Sequence, residues 1–118
     1  MQPLKQNLDT SGMAEIGSVA NLGAEVLAGD PQATAKFVVG GPESALAVGL
    51  FGSTEGIFRV NYPFSEHATL LSGSLTLKNE TTGVEATFAP GDSWFIAKGE
   101  VIVFNVANAF VKHYLSVA

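Results

Sequence analysis

The chain has 118 residues, a length typical of one domain with a single core. Only 14% of its residues are charged, and its thirteen glycines and five prolines fit an all-β protein, whose many turns need a permissive backbone. The net charge is -5 and the few lysines are scattered, so no positive stripe can neutralise phosphates, and nucleic acid is excluded as a partner.

The location of the protein is predicted from what its sequence lacks. There is no cysteine, which excludes disulfides and thiolate metal sites. No uncharged apolar stretch reaches the roughly 18 residues that a membrane span needs. The first residues do not place a basic segment before an apolar core, as a secretory signal does. We therefore expect a cytoplasmic protein that makes no membrane contact.

The predicted elements divide the chain into two parts. Residues 1–35 are rich in alanine, glycine and serine and are predicted to form an N-terminal arm with little regular structure. Within the arm we expect one short helical turn over residues 22–28, which Asn21 could cap and Gly29 would end. Residues 36–118 are predicted to form a barrel of about eight or nine short strands separated by turn residues. No interval offers a crossover helix, so we expect antiparallel strands in a closed barrel or a double-sheet jelly roll.

The stretch from Gly56 to Gly73 is predicted to form two strands joined by a turn at Pro63. In the first strand the side chains alternate, with Phe58, Val60 and Tyr62 on one face and with Arg59 and Asn61 on the other. Periodicity alone favours the apolar face in the core and the polar face in solvent.

The residues of two segments carry a resemblance to a known family. Glu66 is followed by six residues and Gly73, and a second segment runs from Gly91 to Gly99 after a proline. These spacings resemble the two motifs of the cupin superfamily. Residues 38–117 are similar to the small cupins grouped with (S)-ureidoglycine aminohydrolase and an ethanolamine-utilisation protein. The resemblance implies a cupin jelly-roll barrel, also called a double-stranded β-helix, with a pocket inside it.

The resemblance implies that, in metal-binding cupins, three histidines and the glutamate hold a divalent ion. Laid over this sequence, the histidine positions fall on Arg59, Asn61 and Ile102, and only Glu66 is kept. A guanidinium has no lone pair to give to a metal, and one carboxylate with one amide is too small a donor set. We therefore expect no metal and no cofactor.

The same alignment reverses the orientation that periodicity favours. It places Arg59, Asn61 and Glu66 inside the barrel, where Arg59 would pair with Glu66 or with a ligand carboxylate or amide. It also turns Phe58 and Val60 outward as an apolar strip, from which we expect a homodimer. The predicted ligand-binding residues are Arg59, Asn61, Tyr62, Glu66, Trp94, Lys112 and Tyr114. Among them Glu66, Tyr62 and Lys112 are the candidates for proton transfer in any reaction.

The sequence thus predicts a cupin without a complete metal site that binds a small polar metabolite, one with a carboxylate or an amide, in its barrel. Two alternatives stay open. One is a metal-dependent enzyme similar to ureidoglycine aminohydrolase, and the other is a non-enzymatic interaction module whose interior is filled by side chains.

Overall fold

The structure, a computed structural model, describes the whole chain from Met1 to Ala118. Nine strands form one curled antiparallel sheet, which confirms the expected all-β cupin jelly roll. The strands are β1 (Ala14–Ser18), β2 (Glu25–Gly29), β3 (Gln32–Val39), β4 (Leu46–Ser53), β5 (Gly56–Asn61), β6 (Ser65–Asn79), β7 (Glu85–Phe88), β8 (Ser93–Ile96) and β9 (Val101–Val117).

Two long strands, β6 and β9, belong to both halves of the curled sheet. The first half of β9 lies between β5 and the second half of β6, and the second half of β9 lies between β4 and the first half of β6. β2 and β7 complete one half of the sheet, whereas β1, β3 and β8 complete the other. The sequence predicts breaks near Gly73 and between residues 108 and 110. Instead both strands run through, with shifts in register between Leu70 and Leu75.

The core lies between the two halves of the sheet and is rich in aromatic rings. Phe58 and Phe104 stack with their ring centroids 4.8 Å apart, and Phe104 also stacks on Tyr62 and Phe110. Side chains alternate along β9, so Ile102, Phe104, Val106, Phe110 and Lys112 are all buried on one face. A lysine therefore occupies a position that the alternation assigns to the core.

The N-terminal arm differs from its prediction. It contains the strands β1 and β2, joined through a four-residue 3₁₀ turn (Val19–Leu22), instead of an irregular segment with a helical turn over residues 22–28. β1 pairs with β3 and β2 pairs with β5, so the arm extends both halves of the sheet. Pairing with an existing edge supplies the hydrogen bonds that the weak local preference does not. The 3₁₀ turn, the sole helical segment, is too short to cross a membrane.

Candidate functional site

A cavity of about 410 Å³ lies between the N-terminal arm and the sheet. It is lined by 17 residues, of which 13 are hydrophobic. Ile16, Val19, Leu22 and Ala24 of the arm form one wall, and side chains from β3, β4, β5 and β9 form the others. The side chains of the arm and the sheet therefore leave an open volume between them.

A buried ion pair lies in the wall of this cavity. The ammonium of Lys112 donates hydrogen bonds to both carboxylate oxygens of Glu66, with Nζ 2.9 Å from Oε1 and 2.8 Å from Oε2. The Tyr62 hydroxyl donates to Glu66 Oε2 at 3.0 Å and lies 3.3 Å from Lys112 Nζ. Lys112 and Glu66 are only 3% and 2% exposed. The three side chains thus form one closed polar cluster in apolar surroundings, and we call it the Lys112 cluster.

Five aromatic rings surround the ammonium of Lys112. Their centroids lie 5.4 to 5.9 Å from Nζ, within the range of cation–π attraction. The rings belong to Phe51, Tyr62, Trp94, Phe104 and Tyr114. The cation is therefore matched by one carboxylate and by the negative faces of the rings, which together offset its loss of water.

Local backbone contacts hold the Lys112 cluster in place. Tyr62 follows β5, and its backbone N–H donates to the carbonyl of Glu100 while its own carbonyl accepts from Gly99. Glu66 lies on β6 opposite Ile96, and Lys112 lies on β9 opposite Leu70. Lys112 and Glu66 are thus not direct cross-strand partners, and the lysine chain extends along the sheet to reach the carboxylate.

The two tyrosines of the cavity keep their protons. Burial, and then the neighbouring charge of Glu66, raise the pKa of Tyr62 well above its ordinary value. The same two causes raise the pKa of Tyr114 to about 12. Both hydroxyls therefore remain hydrogen-bond donors at neutral pH, and that of Tyr114 makes no side-chain hydrogen bond to Glu66 or Lys112.

Arg59 and Asn61 lie on the opposite side of β5 from the cavity, so the predicted pairing of Arg59 with Glu66 is wrong. Arg59 Nε donates to Glu80 at 2.6 Å and Nη1 donates to Glu25 at 2.9 Å, while Asn61 is exposed. These two hydrogen bonds raise the pKa of Arg59 and the bond to Arg59 lowers the pKa of Glu80. The orientation that periodicity favours is the one observed.

The error comes from the spacing used in the first cupin motif. If the glutamate follows the second histidine position by four residues instead of five, the two histidine positions fall on Val60 and Tyr62. Both of these side chains line the cavity, and Phe58 on the same face is buried. The outward apolar strip from which the homodimer was predicted therefore does not exist.

Trp94 lines a second, smaller cavity of about 270 Å³ near β7 and β8. Its ring lies near the ammonium of Lys112 and packs against Phe88, with ring centroids 4.8 Å apart. Its buried Nε1 has no hydrogen-bond partner. Of the predicted ligand-binding residues, the structure thus gathers five, Tyr62, Glu66, Trp94, Lys112 and Tyr114, and separates Arg59 and Asn61 from them.

The residues around Glu66 do not fit a divalent metal ion. With either spacing, the positions that the resemblance assigns to histidines carry none: they are Arg59 and Asn61, or Val60 and Tyr62, in the first motif and Ile102 in the second. Both oxygens of Glu66 already accept hydrogen bonds from the ammonium of Lys112. No three histidine, cysteine, aspartate or glutamate side chains come together anywhere in the structure. The ammonium is therefore the cation that Glu66 neutralises.

Sequence reasoning named Lys112 as a candidate but missed that it is the partner of Glu66. In the structure Lys112 continues the alternation of buried side chains along β9, but the sequence gives no such signal, because Val111, Leu115 and Val117 make the opposite face of the strand apolar too. It also missed the cavity wall that the arm provides, since nothing in the composition of residues 14–24 distinguishes cavity-lining side chains from others.

Comparisons with known proteins agree with this architecture. The family model described as EutQ-like cupin domain matches residues 40–114. No protein with a curated function matches the chain significantly.

Among solved structures, the chain is similar to an ethanolamine utilization protein Q from Salmonella typhimurium. The two are 23% identical with a TM-score of 0.62, over 73% of this chain and 69% of that one. The EutQ protein of Clostridium difficile is also 23% identical, with a TM-score of 0.63, over 74% of this chain and 63% of that one.

A Pseudomonas syringae protein of unknown function is 19% identical, with a TM-score of 0.76. That match covers 97% of this chain but 46% of the other, so this chain spans less than half the length of that relative. These likenesses show a shared fold. Since the family model covers more than half of the residues, including Tyr62, Glu66 and Lys112, the chain belongs to the family of EutQ-like cupin domains.

Proposed function

We propose that this cupin binds a small molecule in the 410 Å³ cavity, with an apolar body against the aromatic wall and one neutral polar group at the Lys112 cluster. A cavity lined mostly by hydrophobic side chains, with a few converging polar groups, is the usual form of a small-molecule site. The hydroxyl of Tyr114 is the donor available to a ligand at that end of the cavity, because the three N–H groups of the Lys112 ammonium are already directed at Glu66 and Tyr62.

The observation that carries the proposal is that the charge of Lys112 is already matched by Glu66. The sequence predicts a ligand with a carboxylate or an amide, and the cation meant to bind the carboxylate, Arg59, lies outside the cavity. A ligand carboxylate would bring a second negative charge next to Glu66 in apolar surroundings. An amide or another neutral carbonyl accepts hydrogen bonds without that repulsion, so we propose a neutral carbonyl ligand.

The proposal is tested with ligands that differ only in their polar end. 3-Phenylpropanamide, 3-phenylpropanoate and 3-phenylpropanol carry the same hydrocarbon, and a short panel of straight and branched amides varies the body. Trp94 is the sole tryptophan and lies beside the Lys112 cluster, so its fluorescence reports binding. We expect amides to bind at least about tenfold more tightly than the matched carboxylates, a difference of about 1.4 kcal/mol.

A pair of variants controls for binding elsewhere. Val60 lines the cavity, whereas Val103 lies opposite Arg59 on the outer face of the same part of the sheet. Val60→Phe should abolish amide binding and Val103→Phe should leave it unchanged. If no amide of the panel binds at millimolar concentration, or if both variants bind alike, the proposal is wrong.

A homodimer remains part of the proposal, on a different surface from the one first predicted. Five side chains form a row across the outer face of the sheet, in register from β8 to β3: Phe95, His67, Leu115, Val48 and Val39. The row contains no carboxylate, although the chain carries a net charge of -5. A second copy turned by a two-fold axis through Leu115 would place Phe95 against Val39, so the row is complementary to itself. A cytoplasmic location likewise stays a prediction.

A further inference from the structure

Lys112 carries the one amino group in the wall of the cavity. Four of the five rings around Nζ, those of Phe51, Tyr62, Phe104 and Tyr114, also line the cavity. Lys112 and Glu66 line it as well. The nitrogen therefore lies where a molecule in the cavity would meet it.

Stability alone gives no reason for this arrangement. Replacing a buried ion pair by well-packed hydrophobic residues is often neutral or stabilising, because the pair must lose its water. Here the pair adjoins open apolar volume, and a tyrosine that keeps its proton lies within hydrogen-bond distance of both partners. A desolvated lysine next to a proton acceptor is the arrangement that forms covalent adducts with carbonyl compounds.

We propose that Lys112 forms an imine with aldehydes and unhindered ketones that enter the cavity. The proposal rests on the proposed function, because it requires the cavity to take a ligand with a carbonyl group. It goes further by assigning a covalent step and a substrate class, carbonyl compounds with an apolar body.

The Lys112 cluster contains the groups that the step needs. The ammonium first gives one proton to Glu66, 2.8 Å away, and the free amine then attacks the carbonyl carbon. A C–N bond forms, the C=O π electrons move to oxygen, and a proton passes from nitrogen to that oxygen to give the neutral carbinolamine. Glu66 then returns its proton to the hydroxyl group, water leaves, and the nitrogen lone pair forms the C=N bond.

The proton balance closes without any further reactant. The three ammonium hydrogens become two in water and one on the protonated imine, and Glu66 ends as a carboxylate. No oxidation or reduction takes place. The iminium carries the same positive charge as the ammonium, so it stays paired with Glu66, and the Tyr62 hydroxyl can assist the transfer of the proton from nitrogen to oxygen.

The test is reductive trapping on the unmodified protein. The chain is incubated with a low concentration of 3-phenylpropanal and sodium cyanoborohydride, then digested, and each lysine is examined by mass spectrometry. The other four lysines, Lys5, Lys36, Lys78 and Lys98, are internal controls. We expect Lys112, despite its burial, to gain a phenylpropyl group at least about tenfold faster than any of them, the low end of what a positioned proton-transfer group contributes.

Three variants connect the labelling to the cavity and to Glu66. Val60→Phe should remove labelling of Lys112 while Val103→Phe keeps it, and neither should change labelling of the surface lysines. Glu66→Gln should slow labelling at least about tenfold, because the amide cannot take up the ammonium proton. Circular dichroism establishes that each variant is folded. If Glu66→Gln does not fold, the comparison of Val60→Phe with Val103→Phe alone tests whether the aldehyde reaches Lys112 through the cavity.

The outcomes separate the two proposals. If 3-phenylpropanamide binds but Lys112 is labelled no faster than the surface lysines, imine formation is wrong and the proposed function stands. If neither the amide nor the aldehyde enters the cavity, both are wrong. Labelling of Lys112 that persists in Val60→Phe would also overturn the inference, since the aldehyde would then not come through the cavity.

Discussion

At the scale of single residues, Lys112 and Glu66 each depend on the other for a counter-charge. Both are more than nine-tenths buried, and their nearest polar neighbour is the Tyr62 hydroxyl. Removing one partner leaves an isolated charge in apolar surroundings, which costs far more than the pair itself contributes.

Lys112→Met should therefore lower the free energy of unfolding by about 3 kcal/mol, because Glu66 is left without its cation. Chemical denaturation followed by Trp94 fluorescence measures it. Lys78→Met, at an exposed position, is the matched control. Arg59→Ala should lower the denaturant concentration at the midpoint of unfolding far less than Lys112→Met does, because the ion pairs of Arg59 are solvated. A change within about 0.5 kcal/mol for Lys112→Met would show that the pair is not buried as described.

The two tyrosines make stability depend on alkaline pH. Their pKa values are raised in the folded protein, to about 12 for Tyr114 and well above 10 for Tyr62, so only the unfolded chain ionises them near pH 10. The tyrosines therefore make their full contribution to the free energy of unfolding below pH 10. Above pH 10 the free energy of unfolding falls by up to about 1.4 kcal/mol per pH unit for each tyrosine.

Denaturation at pH 9, 10 and 11 measures this loss, and phenolate absorbance follows the ionisation directly. The chain has two tyrosines, so the folded protein should show almost no phenolate at pH 10. Tyr114→Phe should reduce the rate at which the free energy of unfolding falls with pH above pH 10. An absorbance titration with a midpoint near pH 10 in the folded state would contradict the burial of both hydroxyls.

The partner of Glu66 could have been predicted from the sequence only in part. Both cations, Arg59 and Lys112, lie on strands that the sequence predicts, and alternation alone places Arg59 outside. It does not place Lys112 inside, because Val111, Leu115 and Val117 make the opposite face of that strand apolar as well. The motif spacing overrode the alternation at Arg59, and a one-residue difference in spacing moves a side chain to the other face of a strand. The resemblance implies a pocket, but the size of the cavity and the part of its wall that the arm forms could not be predicted, because both depend on how the folded arm packs on the sheet.

At the scale of elements, the passage of β6 from one half of the sheet to the other depends on Gly73. Its φ is +82°, and a Cβ there would clash with the backbone carbonyl of Ala109 on β9. The backbones of β6 and β9 thus approach too closely for any side chain at the place where the register shifts. The predicted glycine turn is instead a close crossing inside a continuous strand.

Gly73→Ala should destabilise the fold by about 3 kcal/mol or more, from the left-handed backbone and the clash together. Gly83→Ala is the matched control, because Gly83 has the same φ of +82° with open space around it. It should cost only about 1 kcal/mol, the backbone part alone. Equal losses of unfolding free energy in the two variants would mean that β6 and β9 do not approach as closely as described.

The arm shows where local sequence preference fails at this scale. Residues 25–29 and 14–18 have neither strict alternation nor a run of β-branched residues, and both are strands because β5 and β3 offer free edges. Register shifts within both pairings fit such weakly specified strands. Sequence patterns therefore predict the central strands of a sheet more accurately than strands that form only by pairing with its edge.

At the scale of the whole molecule, the row from Phe95 to Val39 is the surface through which we propose that two copies of the chain meet. Phe95 and Leu115 are 66% and 38% exposed, and His67 between them is also exposed. Four apolar side chains in register with His67 across five strands make a continuous surface, whereas scattered ones would not. Two copies with a net charge of -5 repel one another, so they associate best through a face without carboxylates.

Phe95→Glu should therefore convert the predicted homodimer to a monomer, because a two-fold axis places two new carboxylates in one apolar interface. Sedimentation velocity at micromolar concentrations measures the change. Val84→Glu is the control, since Val84 is 65% exposed but lies outside the row, and it should leave the dimer intact. A monomer for the unmodified chain would exclude this interface. A dimer that survives Phe95→Glu would show that the two copies meet through another face.

Because the row lies on the outer face of the sheet and the Lys112 cluster on the inner face, either outcome should leave amide binding unchanged.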